Sequence, residues 1–237
     1  MQPVGTGPFS VGDAFSWGWT KFTQNAGVII VAVLIYLLIV AAIEAVLVFL
    51  ALAPLRQTTC TVDPNTLTTH CTGGVGFFGS LLLNAVSAFV FVVVFAFVQA
   101  AVIRGALSIA NGQHLELATF FRFENVGNIV VGALIVGAAT FVGTLLCFVG
   151  AIVVALFTPF WLFFVVDKNM PGYDSVVASV RLVNQHLGNV IVLIIGVFIA
   201  YFIGALLCLV GLLVTAPVAL LALTYGYRRL QGQPIAA

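Results

Sequence analysis

The chain has 237 residues, 62% of them hydrophobic and 6% charged, with a formal net charge of +1 and a mean hydropathy of +1.24. Ordinary globular domains carry about 25% charged residues, and surface-to-volume scaling leaves much of any soluble fold of this length wet. Lipid is therefore the solvent, and the near-zero net charge argues against a nucleic-acid partner.

The opening "MQPVGTGPF" has no basic n-region, and the apolar stretch that follows is far longer than an h-region of about 7–15 residues. "ALA" at Ala51 to Ala53 resembles a cleavage site but runs straight into Pro54, so a retained first span is expected. Ahead of that span lies "DAFSWGWTKFTQNAG", Asp13 to Gly27. Phe15, Trp19, Phe22 and Ala26 recur at i, i+4, i+7 and i+11, one face of a helix, opposite a polar face. Such a helix suits the headgroup boundary, with Phe15, Trp17, Trp19 and Phe22 as interfacial anchors.

A transmembrane helix needs about 20 apolar residues at 1.5 Å rise each. The first candidate runs from about Val28 to Ala53 and the second from about Gly76 to Ile103. Ile129–Val166 and Val190–Tyr227 are too long for single spans, so each reads as a hairpin turning at Gly150 or Gly211. Six spans result. Lys21, Arg104, Arg122, Lys168, Arg181, Arg228 and Arg229 then fall on one side and only Arg56 on the other, a positive-inside pattern that puts both termini on the cytoplasmic side; the expected location is a bacterial plasma membrane.

Between the first two spans, "PLRQTTCTVDPNTLTTHCTGG" carries Cys60 and Cys71. Thiols outside a bacterial membrane tend to be oxidised, so a disulfide is expected ahead of a metal pair with His70, which would be one ligand short of a closed tetrahedral zinc site. Cys147 and Cys208, in apolar hairpin turns, read as small buried residues.

Internal repetition is pronounced. At an offset of 61, Gly127-Asn128 meets Gly188-Asn189 and the register holds to Ala155/Ala216, matching Gly143 with Gly204 and Cys147 with Cys208. At an offset of 161, Asp13 meets Asp174, Gln24 meets Gln185 and Gly27 meets Gly188; His114 to Gly127 is a degenerate third copy. The expected fold is an all-α integral membrane protein, a single membrane domain over 1–237, whose six transmembrane helices form three parallel repeats of about 10–112, 113–170 and 171–230. Each repeat is an amphipathic interfacial helix, a Gly-containing bend and a hairpin, related by an axis along the membrane normal. Ala139-x3-Gly143 and Ala200-x3-Gly204 are the helix-packing candidates.

Chemistry is sparse. Glu44 is the one acidic residue deep inside a span, where charge is costly and faces the bundle or water. Ser80, Asn84 and Ser87 share one face of the next span at a matching depth. The four residues form either a structural hydrogen-bond cluster or a functional intramembrane polar site. No HExxH, Walker A, GxSxG or GxGxxG pattern occurs, so no catalytic residue, metal or cofactor is expected.

An acidic or polar start, an aromatic amphipathic helix, a "GN" entry and a hairpin, repeated, resemble bacterial multi-pass membrane proteins of unknown function. These include the membrane region preceding some glycerophosphodiester phosphodiesterases. The Val/Ala/Gly-heavy style is also similar to actinobacterial proline- and glycine-rich transmembrane proteins. The resemblance implies an architecture and brings no catalytic residues. The expected role is a non-enzymatic accessory or scaffold subunit of the cell envelope, in contact with membrane lipids and with a protein partner or further copies of itself. The alternative is a small transporter or lipid-handling protein with a cavity among the hairpins, lined by Glu44.

Overall fold

Long runs of Val, Ala, Leu and Phe in a solvent that offers no hydrogen bonds have one local solution, the α-helix, because it satisfies every backbone group within the segment. In the computed structural model, which describes residues 9–52, 59–62, 69–72, 77–122, 124–145, 149–207 and 211–236, such helices account for nearly all the regular structure. In chain order they are α1 (Val11–Leu52), strands β1 (Thr59–Val62) and β2 (Thr69–Thr72), α2 (Phe77–Ala110), α3 (Leu117–Phe120), α4 (Val126–Leu145), α5 (Val149–Phe157), α6 (Trp161–Lys168), α7 (Gly172–Gln185), α8 (Leu187–Leu206) and α9 (Leu212–Leu230). Five helical stretches among the described residues are long and apolar enough to cross a membrane. They are Val11–Phe49, Leu81–Ala110, Val126–Leu145, Val149–Lys168 and Leu187–Leu206.

The sixth expected span falls on α9, which is less apolar than these five. It carries Thr215, Pro217, Thr224, two tyrosines and two arginines, and it is enclosed along much of its length. It can be less greasy because other helices, rather than lipid, surround it. The expected all-α chain also contains one β-ladder: β1 and β2 pair antiparallel, with Cys60 directly opposite Cys71 and Thr61 opposite His70. Threonine-rich, β-branched sequence favours this extended pairing. Arg56 and the turn cysteines Cys147 and Cys208 lie outside the described residues.

By their contacts the helices group into two compact units, residues 35–95 and residues 1–34 with 96–237. In the first, no described side chain between 37 and 95 is buried. In the second, α9, α6 and the last turns of α2 supply much of the core, with the rings of Phe160, Phe163, Phe164 and Tyr227 clustered at centroid distances of 5.1–6.1 Å, edge-on, tilted or stacked.

Three backbone breaks mark the entries to the apolar helices. α1 departs from helical geometry at Asn25 (φ −123°, ψ 15°). α4 is preceded by Asn125 at φ 58°, and α7 passes to α8 through His186 (φ −131°, ψ 33°). These positions coincide at the offsets of 161 and 61. The two later hairpins are closed alike. A Cβ on Gly143 would lie 2.5 Å from the carbonyl carbon of Gly150, and one on Gly211 2.8 Å from the carbonyl oxygen of Gly204. Gly204 also faces Leu212 and Thr215. Backbone-on-backbone contact of this kind needs glycine on both helices.

Gly143→Ala and Gly204→Ala should therefore destabilise the protein, overpacking at about 1–3 kcal/mol outweighing the roughly 1 kcal/mol of helix propensity that Ala adds over Gly. Nothing lies within 4 Å of a Cβ on Gly27 or Gly188, so alanine there should leave thermal unfolding in mild detergent unchanged or raise its midpoint.

Candidate functional site

The amphipathic segments do not lie free on a surface; each seats on another hairpin. On α7 the buried residues are Gly172, Ser175, Ser179, Leu182 and Val183. On the first half of α1 they are Ala14, Trp17, Gly18, Lys21 and Phe22. At the offset of 161, Ala14/Ser175, Gly18/Ser179, Lys21/Leu182 and Phe22/Val183 coincide. This face is turned relative to the expected stripe of Phe15, Trp19, Phe22 and Ala26, because small residues such as Ala14, Gly18, Ser175 and Ser179 let backbones meet.

Ser179 shows what the seating accomplishes. Pro159 interrupts the helical run between α5 and α6, and proline breaks a helix by removing an N–H and crowding the preceding turn. The buried Ser179 hydroxyl spans this break. Its Oγ accepts from the Phe160 N–H at 3.1 Å and donates to the Phe157 carbonyl at 3.1 Å. Two backbone groups that lipid could not satisfy are thus held by one side chain. At the equivalent place on α1, Gly18 meets α9 beside Pro217, where a Cβ would lie 2.9 Å from the Val218 carbonyl oxygen. The same half of α1 touches α8, since Phe15 lies against Gly196. α3 packs on α2 through Phe120 against Gly105.

A polar latch joins the ends of α2, α6 and α9. Arg228 pairs with Asp167 at 2.8 Å, both side chains nearly enclosed at 11% and 14% exposure. Its guanidinium also donates to Asn111 at 3.0 Å and to Gln233 at 2.7 Å, while the Tyr227 hydroxyl donates to Asp167 at 3.2 Å. Lys168 donates to Gln231. Beyond α9, the tail runs back over this end: the Ala236 N–H donates to the Ala110 carbonyl at 2.9 Å, and the Trp17 indole donates to the Ala236 carbonyl at 2.9 Å. The sequence offers Asp167 and Arg228 only as isolated charges near span ends; their separation of 61 residues gives no local motif.

The four expected anchors divide. Trp19 is 54% exposed and can meet headgroups. Trp17 and Phe22 are buried and Phe15 is half-buried. Trp17 is a packing residue against Tyr225, centroids 5.8 Å apart, and a tie for the tail. Of the helix-packing candidates, Gly143 and Gly204 are buried, Ala200 is half-buried and Ala139 is exposed. In the 35–95 unit, Glu44 is half-buried, with no hydrogen bond or ion pair of its carboxyl seen among the described residues. Asn84 is exposed and engaged, and Ser87 is half-buried. The side chain of Ser80 and those of Cys60 and Cys71 lie outside the described residues.

The space among α1, α2 and α9, walled by Ile29, Gly105, Phe120, Pro217 and Leu221, amounts to about 10 Å³, room for one water at most. Among the described residues no three His, Cys, Asp or Glu side chains converge as a metal site.

No family model matches the chain, and no solved structure matches it. It is 36% identical over 234 residues to uncharacterized protein Rv2560 of Mycobacterium tuberculosis (strain H37Rv), covering 94% of this chain and 69% of that one. The same identity and coverage hold for uncharacterized protein Mb2590 of Mycobacterium bovis and uncharacterized protein MT2637 of Mycobacterium tuberculosis (strain CDC 1551).

Ser179→Ala should lower the unfolding midpoint in detergent, since an unsatisfied buried donor or acceptor costs about 1–3 kcal/mol. Ser179→Thr, which keeps the hydroxyl, should recover part of that loss.

Proposed function

The chain belongs to the family of these uncharacterized mycobacterial proteins, and we propose that it is a non-enzymatic accessory or scaffold protein of the cell envelope. It would be built from three elbow-and-hairpin repeats with α9 as the sixth span. Support for the repeats comes from the coincident breaks at Asn25, Asn125 and His186, the coincident buried faces of α1 and α7, and the two glycine-closed hairpins. Support for cytoplasmic termini comes from the latch, which gathers Lys168 and Arg228 from different helices at one end. The kinship with the membrane region of some glycerophosphodiester phosphodiesterases is part of the same reading, carried by the repeat and not by any catalytic group.

The observation that carries the accessory role is Glu44. A carboxyl within a transmembrane helix costs about 3 kcal/mol at the bilayer centre even on the mildest scale, and in a stretch where no described side chain from 37 to 95 is fully buried it needs cover from elsewhere. A partner helix, from another protein or a second copy, supplies it. The transport alternative is the weaker one, because the interior among α1, α2 and α9 is filled.

Native purification in mild detergent should recover a stable partner or homo-oligomer with the wild-type chain. Glu44→Leu should lower that recovery about tenfold, the size of one charge-assisted hydrogen bond, and Glu44→Gln should lower it less. Recovery of the protein alone, as a monomer, from wild-type membranes would overturn the accessory reading.

The register of the strands supports the disulfide. Residues directly opposite in an antiparallel pair have Cα atoms about 4.5–5.5 Å apart, inside the range a disulfide spans, and Cys60 and Cys71 are such a pair. Mass spectrometry of the unreduced protein should find a peptide joining the two, two hydrogens lighter than the separate thiols. Alkylation of both cysteines without reduction would count against it.

A further inference from the structure

The polar side of α7 forms one wall of an open groove of about 400 Å³ whose other wall is the end of α6 and the turn after it. We propose that this groove holds the headgroup of a zwitterionic phospholipid, a phosphoethanolamine, with Arg181 on the phosphate and Asp174 on the ammonium.

The groove has a built polarity. Asp174, Arg181 and Gln185 follow one another at i, i+7 and i+11, which places them on one stripe of the helix, while Phe164 and Leu182 are buried beneath and Met170 is half-buried beside them. Seven residues of helix rise about 10.5 Å, so carboxylate and guanidinium sit two turns apart. Both are exposed, and neither forms an ion pair among the described residues. The nearby cation Lys168 is otherwise engaged: it donates to Gln231 and lies over the Phe164 ring at 5.1 Å. Among the described residues, Arg181 and Asp174 are thus a cation and an anion without an ion pair that face the same hollow.

A ligand that satisfies both carries an anion and a cation separated by a short linker, joined to an apolar body that rests on Phe164, Leu182 and Met170. α7 is also the amphipathic element between two apolar hairpins, which sets this groove at the depth of headgroups. Arginine's planar fork suits a phosphate diester, and the carboxylate takes N–H donors. An anionic phosphatidylglycerol would satisfy Arg181 but leave its glycerol against Asp174. In phosphatidylcholine the methylated ammonium has no N–H to offer. The net charge of +1 adds no general pull toward anionic surfaces.

The full chain, reconstituted in bilayers of equal parts phosphatidylethanolamine, phosphatidylglycerol and phosphatidylcholine, is released for native mass spectrometry and the retained lipid identified. Phosphatidylethanolamine should be enriched about tenfold over the other two, the worth of one charge-assisted hydrogen bond. Arg181→Gln should abolish the enrichment. Asp174→Asn should reverse it in favour of phosphatidylglycerol. Both positions are exposed, and an unchanged thermal midpoint verifies that each variant is folded. Equal retention of the three lipids, a wild-type preference for phosphatidylglycerol, or enrichment that survives Arg181→Gln would each overturn the proposal. Oligomer or partner recovery, which tests Glu44, is read separately and leaves this outcome independent.

Discussion

A backbone N–H or carbonyl that leaves a helix inside a bilayer must find its partner within the protein, and this fold depends on how that demand is met at its breaks. The Pro159 interruption would expose the Phe157 carbonyl and the Phe160 N–H. Both are taken by Ser179, a hydroxyl supplied by a helix that belongs to the next stretch of chain. The break in turn permits a division of labour. α5, before it, has no buried residue, whereas α6, after it, buries Trp161 through Val165. One continuous straight helix would present the same mixture of faces throughout. Separated by the break, α6 is free to pack on Tyr227 and carry Asp167 to Arg228.

From this follows the way the pieces interlock. α7 seats on the helices that precede it in the chain, α3 seats on α2, and the first half of α1 seats on α8 and α9, at the opposite end of the sequence. Each amphipathic segment thus covers a hairpin, and the N-terminal segment closes the set by covering the last one. The tail beyond α9 answers this closure, tied to Ala110 and Trp17. Ends of the chain that are far apart in sequence are held on one body, which is why Trp17 cannot act as a lipid anchor while Trp19, two residues on, can.

Much of this was legible in the sequence, and the limits are physical. Length and apolarity announce the spans, because the bilayer leaves helices little competition. The Gly143/Gly204 match exposes the hairpin closures, since a backbone contact tolerates no other residue. The seating face is hidden in the sequence because the large aromatic residues dominate the apolar pattern, whereas the contact is made by Ala14, Gly18, Ser175 and Ser179. Apolar periodicity cannot see a face whose function is to be thin. The latch was illegible for a different reason: Asp167, Arg228, Asn111 and Gln233 come together only through the tertiary fold.

Glu44 and the α7 groove represent two ways a membrane protein can carry polar groups. Asp174 and Arg181 are exposed on the polar side of an amphipathic helix, so they cost little there and stay available to a ligand. Glu44 sits within an apolar helix, and no described residue of the chain hydrogen-bonds or ion-pairs with its carboxyl. A group in that position is retained at a cost, and the cost is removed only by neutralisation or by a partner of the right polarity. The 35–95 unit, with its exposed apolar faces and Glu44 inside an apolar helix, has the surface on which an association within the membrane would be specified rather than merely permitted.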